Sequence, residues 1–119
     1  MMAKTPVKAW KTAAGINAWI FLIKNSHHCG YVSAPDEISD LDLEEVLIDV
    51  HGGITFDGFA DWSGGVRVVG YDCAHAGDSC YGYDDGIWRD VDFCIGECEK
   101  LAAQLVGLSE LKSTPKHQN

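Results

Sequence analysis

The feature that most constrains the fold is one helical pattern of apolar residues in the last third of the chain. Apolar side chains recur there every three or four positions, the spacing of one face of an α-helix. This stripe consists of Val91, Cys94, Ile95, Cys98, Leu101, Ala102 and Leu105. Asp90 can cap the start of the helix, and Gly107 can end it in a left-handed turn. Glu97, Lys100 and Gln104 fall on its polar side.

Short β-prone runs precede this helical pattern. We predict strands at residues 16–24, 29–33, 46–50, 54–59 and 66–72. The first two runs form a hairpin, and paired glycines mark a tight turn after the third. An antiparallel or mixed sheet of about five strands, with the C-terminal amphipathic helix packed on one face, buries both apolar surfaces. The predicted fold class is therefore α+β.

The chain has 119 residues, which predicts one domain, placed here at residues 16–107. Residues 1–15 are predicted to be a flexible basic arm, because Lys4, Lys8 and Lys11 cluster there. Residues 108–119 are predicted to be a frayed tail. The apolar run after the lysines superficially resembles a signal peptide. It is short and interrupted by Asn17, so we interpret it as a buried strand.

The charge narrows the possible binding partners, and the cysteine content narrows the possible cellular compartment. The net charge is −9, and residues 36–99 carry 17 acidic side chains against Arg67 and Arg89 alone. Such a body repels nucleic acid and anionic membranes, so we predict neither as a direct partner. It could attract a cation or a basic protein surface, or it could serve solubility alone. The five cysteines match no small disulfide scaffold, which favours a reduced cytoplasmic protein.

Polar, titratable residues follow two of the predicted strands, where ligand sites are commonly built. The predicted ligand-binding residues are His51, Gly52, Gly53, Thr55, Asp72, Cys73, His75 and Asp78. Each also has a purely structural interpretation. His51 could close a turn, Asp72 and Asp78 could cap loops, and Cys73 could fill the core. The prediction is that both segments deliver their side chains into one recess.

The same residues could support other chemistry. Cys73 with His51 or His75 could form a nucleophile and base, although no third orienting group is identifiable. Asp72, Cys73, His75 and Asp78 are possible metal ligands, but their spacing matches no common zinc pattern. The familiar phosphate-loop, dinucleotide and zinc-protease motifs are absent from the sequence. We therefore predict no metal and no cofactor, and assign no catalytic residue.

Two further groups of residues have candidate roles. Cys94 and Cys98 lie one turn apart on the apolar helical face, which favours burial in the core over metal binding. The long segment after Cys73 is rich in Gly, Asp and Tyr, which is typical of a functional loop. Aromatic side chains in or near it could stack on a flat ligand such as a nucleobase. These aromatic residues are Tyr81, Tyr83 and Trp88.

Four short motifs carry a resemblance to known sequences. They are Cys-Gly-Tyr-Val at 29–32, His-Gly-Gly-Ile-Thr-Phe at 51–56, Asp-Cys-Ala-His-Ala-Gly-Asp at 72–78, and Glu-Cys-x-x-Leu at 97–101. With these motifs the chain resembles a family of small uncharacterised proteins encoded in phages and prophages, over residues 16–105. The resemblance implies a phage accessory protein that acts in the cytoplasm of the bacterial host. In size and charge such proteins resemble inhibitors of host defence. This analogy concerns the setting in which such proteins occur and is not an inference from the residues.

Three functions remain open from the sequence. The first is a binding protein that sequesters a small polar ligand, plausibly a nucleotide-derived defence signal. The second is a small hydrolase that uses the His/Cys/Asp cluster or a metal. The third is an acidic protein inhibitor that acts as a nucleic-acid decoy towards a host defence protein. Homo-oligomerisation is possible in each case.

Overall fold

The structure is a computed structural model that describes residues 5–24, 26–74, 78 and 87–113. These residues form a five-stranded antiparallel sheet in the order β1-β2-β3-β5-β4, followed by one helix. The elements are β1 (Lys8–Lys11), β2 (Asn17–Ile23), β3 (His27–Ser33), β4 (Phe56–Phe59), β5 (Arg67–Asp72) and α1 (Val91–Ser113). Because α1 packs on the sheet, chiefly on β3, the predicted α+β fold is confirmed.

The two faces of the sheet are covered differently. On one face, alternate strand residues such as Ile20, Val32 and Tyr71 form a buried core with α1. Cys94 and Cys98 belong to that core and are fully buried, as predicted. On the other face, aromatic rings pack edge-on or tilted, with centroids 4.7–5.8 Å apart. These rings belong to Trp19, Phe21, Tyr31, Phe56 and Trp62.

The predicted flexible arm is wrong for part of its length, because Lys8–Lys11 form strand β1. This strand pairs with β2, with Lys8 opposite Ile20 and Lys11 opposite Asn17. The indole Nε1 of Trp10 donates to Glu99 Oε2 of α1 at 2.8 Å. Glu99 Oε1 also accepts from the backbone N–H of Ala13 at 2.9 Å. These two bonds fasten the edge of the sheet to the helix.

The predicted strand at residues 46–50 is wrong, because side chains of α1 bond to this segment's backbone. Gln104 accepts from the Asp49 N–H and donates to the Asp49 carbonyl, both at 2.8 Å. Glu97 accepts from the His51 N–H, also at 2.8 Å. These bonds from α1 satisfy the backbone groups of residues 49 and 51 without strand pairing. Val50, which lies between them, is buried against the core.

Helix α1 begins as predicted but does not end at Gly107. The Asp90 carboxylate accepts from the Phe93 N–H at 2.9 Å, which confirms the predicted cap. The helix continues through residue 113, so the frayed tail prediction is wrong for residues 108–113. Leu108 packs against the core, and the two following polar contacts, from Ser109 to Glu37 and from Lys112 to Asp40, hold this end in place.

The segment between β3 and β4 contains two 3₁₀ helices, Asp36–Ile38 and Leu43–Glu45. A third, Asp61–Ser63, lies between β4 and β5. Arg67 of β5 holds the first two in place by donating to the carbonyls of Ile38 and Leu41 at 2.9 and 3.2 Å. In the described part of the chain, no helix has the length and apolar character needed to cross a bilayer.

Candidate functional site

The candidate site lies where the start of α1 meets the start of β3 and the end of β5. His28 of β3 donates from Nδ1 to the carbonyl of Arg89 at 2.8 Å. The His28 carbonyl accepts from the N–H of Cys73 at 3.0 Å. Backbone and side-chain bonds thus join all three elements at the point where the chain leaves β5. The site residues lie in the segments that border these elements, so the sheet and the helix hold their surroundings in place.

A buried carboxylate is the centre of this site. The Asp78 side chain is 0% exposed. Its Oδ2 lies 2.8 Å from Nε2 of His51, and its Oδ1 accepts from Nε of Arg89 at 2.7 Å. A buried carboxylate needs such partners, because an unpaired charge away from water is costly. The two segments predicted to share a recess are therefore joined by a direct His51–Asp78 contact.

His51 is oriented by the turn that follows it. Gly52 and Gly53 have φ values of 70° and 82°, and the Gly53 N–H donates to the Val50 carbonyl at 2.9 Å. These positive φ values explain the paired glycines and confirm the predicted tight turn. The Phe93 ring meets the imidazole edge to face at 5.2 Å. Because a carboxylate only accepts, Nε2 of His51 carries the proton in the bond to Asp78.

Arg89 is the cation of the site. Its guanidinium carbon lies 4.8 Å from the centre of the Phe93 ring, while Nε is bonded to Asp78. Its side chain is 23% exposed. Within the part of the chain that the structure describes, neither terminal nitrogen of this guanidinium makes a hydrogen bond. Their four N–H groups are donors in a fixed fork.

An exposed aromatic residue, Trp88, directly precedes Arg89 in the chain. Trp88 is 43% exposed, and its ring centroid lies 5.3 Å from that of His28. His28 itself is buried and bonded to the Arg89 carbonyl, so one imidazole contacts both the Trp88 ring and the backbone of Arg89. A flat apolar surface beside a cation suits a ligand that combines a ring with an anionic group.

Cys73 has the properties of a buried thiol rather than a nucleophile. It is 1% exposed, and its Sγ lies 3.7 Å from Sγ of Cys94. The hydrogen bond with Cys94 and then burial raise the pKa of the Cys73 thiol far above its usual value. A reactive cysteine needs a thiolate and access to solvent, and this one lacks both. The core-filling interpretation of Cys73 is the one that its surroundings support.

The remaining predicted residues differ in their relation to the site. The Asp72 carboxylate accepts from the Ala74 N–H at 3.1 Å, which is the predicted loop cap. Asp72 also contributes, after burial and Cys29, to raising the pKa of Tyr31 to about 12. In the pairing of β3 and β5, Asp72 lies opposite Cys29 and on the same face as Tyr31, which is the aromatic face. Thr55 is exposed and extends the β4–β5 pairing through its N–H bond to the Gly70 carbonyl at 2.8 Å.

His75, Tyr81 and Tyr83 lie outside the described residues. Among the residues that the structure does describe, no group of three or more His, Cys, Asp or Glu side chains could hold a metal ion. Sequence reasoning missed Arg89, and it placed Glu97 on the wet face although Glu97 binds the His51 backbone. The available signal for Arg89 was that residues 36–99 contain only one other basic residue.

The buried thiols give a direct test of this packing. We expect Cys73 and Cys98 to react with N-ethylmaleimide at neutral pH roughly 100-fold more slowly than an exposed thiol, because both must be uncovered first. Burial also raises the pKa of Cys98 to about 12, which keeps it protonated. Peptide mass mapping over a time course measures each site, and Leu47→Cys, at a position 99% exposed, supplies the exposed standard. Labelling of Cys73 as fast as that standard would contradict its burial.

Comparison with known proteins adds no further constraint. No family model, no curated protein and no solved structure matches this chain. The geometry described above is therefore the basis for assigning a function: a buried carboxylate that orients one imidazole and one guanidinium, beside an exposed indole.

Proposed function

We propose that this protein binds and sequesters a small anionic, nucleotide-derived ligand at Arg89. The observation that carries this proposal is the state of the guanidinium. Its Nε is anchored by fully buried Asp78, and its terminal nitrogens make no bond within the described residues. A planar fork of this kind matches the oxygens of a phosphate or carboxylate.

Preorganisation supports this function. The Asp78 contact and the Phe93 ring restrict the guanidinium before any ligand arrives. Less side-chain entropy is then lost on binding than for an unrestrained surface arginine. His51 shares the same carboxylate, so Asp78 is not dedicated to neutralising Arg89 alone. The exposed Trp88 ring offers a stacking surface for the base of a nucleotide.

The overall charge favours a small ligand over a polymer. With a net charge of −9, the body opposes the approach of long polyanions. A single phosphate group needs only the local donors of Arg89. The resemblance to phage-encoded proteins supports a context for this activity, in which an accessory protein removes a host defence signal in the bacterial cytoplasm.

Ligand binding tests the proposal directly. Native mass spectrometry and calorimetry would be run with inorganic phosphate, nucleoside monophosphates, cyclic dinucleotides and ADP-ribose. At least one nucleotide is expected to bind, and Arg89→Gln is expected to weaken it roughly 100-fold through loss of charge-assisted bonds. Lys112→Gln, which removes the same charge at the far end of α1, is the matched control and should bind normally.

Two results would overturn this function. One is a wild-type protein that binds no member of the panel, whether purified natively or refolded. The other is equal binding by wild type and Arg89→Gln when both show the same thermal unfolding. A Trp88→Ala variant then tests whether the indole ring contacts the base of the ligand. It should lower the affinity for nucleotides and leave the affinity for inorganic phosphate unchanged.

The His51–Asp78 pair favours one alternative, a small hydrolase. A carboxylate that orients an imidazole is the arrangement of a general base and its positioning group. Incubating the same panel with the protein and analysing it by chromatography distinguishes the two functions. Sequestration leaves the ligand intact, whereas hydrolysis gives product that His51→Gln abolishes without loss of binding.

A further inference from the structure

A second surface, separate from the ligand site, lies at the other end of α1. An open groove of about 340 Å³ runs between α1 and the segment that joins β3 to β4. That segment contains the first two 3₁₀ helices and is called the 3₁₀ segment below. The groove is lined by Leu41, Val46, Leu108, Leu111 and Lys112. Leu111 is 74% exposed, and Leu41, Val46 and Leu108 are half-buried. We call this surface the α1 groove. Clustered exposed apolar side chains of this kind mark interaction sites more often than chance exposure does.

The walls of the α1 groove are held in place before any partner binds. Lys112 Nζ donates to Asp40 at 3.1 Å, and Ser109 Oγ donates to Glu37 at 3.0 Å. From the sheet side, Arg67 bonds the Ile38 and Leu41 carbonyls while paired with Asp57 at 2.7 Å. These contacts fix the separation between the 3₁₀ segment and the helix.

Acidic residues surround this apolar surface. Residues 35–66 contain nine Asp or Glu and no Lys or Arg. Those next to the groove are exposed, namely Glu37, Asp40, Asp42, Glu44 and Glu45. Among the described residues that line the groove, Lys112 is the cation, and it is paired with Asp40. In the part of the chain that the structure describes, the surface thus combines an apolar floor with a rim of net negative charge.

We propose that the α1 groove binds a basic amphipathic segment of another protein. Apolar side chains of that segment enter the groove between Leu41 and Leu111, and its Lys or Arg residues face the acidic rim. Such a segment is recognised by apolar anchors at helical spacing, with charge fixing its register. A two-fold pairing of this chain through the same surface would bring two acidic rims together, so charge disfavours a second copy as the occupant.

The test uses a synthetic 14-residue peptide of Leu and Lys whose leucines lie on one helical face. A peptide of identical composition with scrambled order and a Leu/Glu peptide serve as comparisons. We expect 1:1 binding of the amphipathic Leu/Lys peptide alone, with affinity that falls as salt is raised. Methyl chemical shifts should change at Leu108 and Leu111.

Variants of the protein assign the site. Leu111→Gln is expected to weaken the Leu/Lys peptide about 10-fold. Neutralising the rim with Glu44→Gln and Glu45→Gln should reduce the salt dependence. Phe59→Gln is the matched control, because Phe59 is 63% exposed but lies on strand β4. Thermal unfolding of each variant checks that the fold is retained.

The possible outcomes separate the occupants. Equal binding of the scrambled or Leu/Glu peptide, or an equal loss in Phe59→Gln, would overturn the proposal because binding would not depend on this groove and its charge. A dimer in solution that Leu111→Gln dissociates would overturn it in favour of self-association. Nucleotide binding at Arg89 is a separate measurement, so either function can fail without the other.

Discussion

Replacing Gly70 by alanine is expected to destabilise this protein severely. A Cβ atom at this position would lie 2.3 Å from Cδ2 of Tyr31 and 2.7 Å from the carbonyl oxygen of Gly30. The oxygen belongs to the backbone of β3, which is paired with β5 and cannot move without breaking that pairing. The Tyr31 ring is confined by Phe56 and Trp62, with centroids 5.7 and 5.1 Å away. Neither neighbour can make room cheaply.

The expected loss is about 3 kcal/mol or more, at the upper end of the usual cost of overpacking, because backbone must shift as well as a side chain. That is a large fraction of a typical domain's stability. Urea unfolding followed by circular dichroism measures it. Gly96→Ala makes the same chemical change on α1, where the added methyl meets no described atom within 4 Å apart from its chain neighbours and the surrounding helix backbone. That variant should be roughly 0.5–1 kcal/mol more stable than wild type.

A result near wild type for Gly70→Ala would contradict the packing of Tyr31 over β5. The reciprocal position gives an independent check, because Gly30 lies opposite Tyr71 on the other face of the sheet. A Cβ there would lie 2.6 Å from the Tyr71 hydroxyl, which donates to the Cys94 carbonyl at 3.0 Å. Normal stability in both variants would mean that β3 and β5 are not paired in this register.

Local patterning was sufficient to predict the fold class and the central elements. The apolar stripe from Val91 and the hairpin of β2 and β3 carry their structural signal in adjacent residues. Where a segment is positioned by residues that are distant in the sequence, its neighbouring residues carry no such structural signal. Residues 46–50 alternate like a strand, yet Gln104 and Glu97 bond to the backbone of residues 49–51. The N-terminal strand β1 exposes most of its side chains, so no apolar run revealed it.

The candidate site was predictable only in part, for similar reasons. His51 and Asp78, both in the predicted set, are in contact, although residues 46–50 before His51 form no strand. Asp72 lies on the face of the sheet opposite α1, because Tyr71 points towards α1 and side chains alternate along a strand. Arg89 was overlooked because a lone arginine has no pattern. Its contact with Asp78 joins residues 11 positions apart, and no local pattern in the sequence predicts it.

The second large effect is expected at the buried carboxylate, in an Asp78→Asn variant. The amide keeps the side chain's shape but removes the charge that both His51 and Arg89 contact. Breaking a buried ion pair by removing one partner typically costs about 3–5 kcal/mol. Because His51 and Arg89 are 18% and 23% exposed, water can solvate them in part, and we expect roughly 2–3 kcal/mol. Thermal and urea unfolding of the variant measure this loss.

The ion pair of Arg67 and Asp57 provides the control for the Asp78→Asn variant. Asp57 contacts Arg67 through two bonds of 2.7 and 2.9 Å but is 31% exposed. Asp57→Asn should therefore cost about 1 kcal/mol or less, and less still at high salt. A double-mutant cycle with His51→Gln should show coupling of roughly 1 kcal/mol to Asp78 and none to Asp57. Equal losses for the two Asp variants, or no coupling to His51, would contradict the assignment of Asp78 as the buried centre of the site.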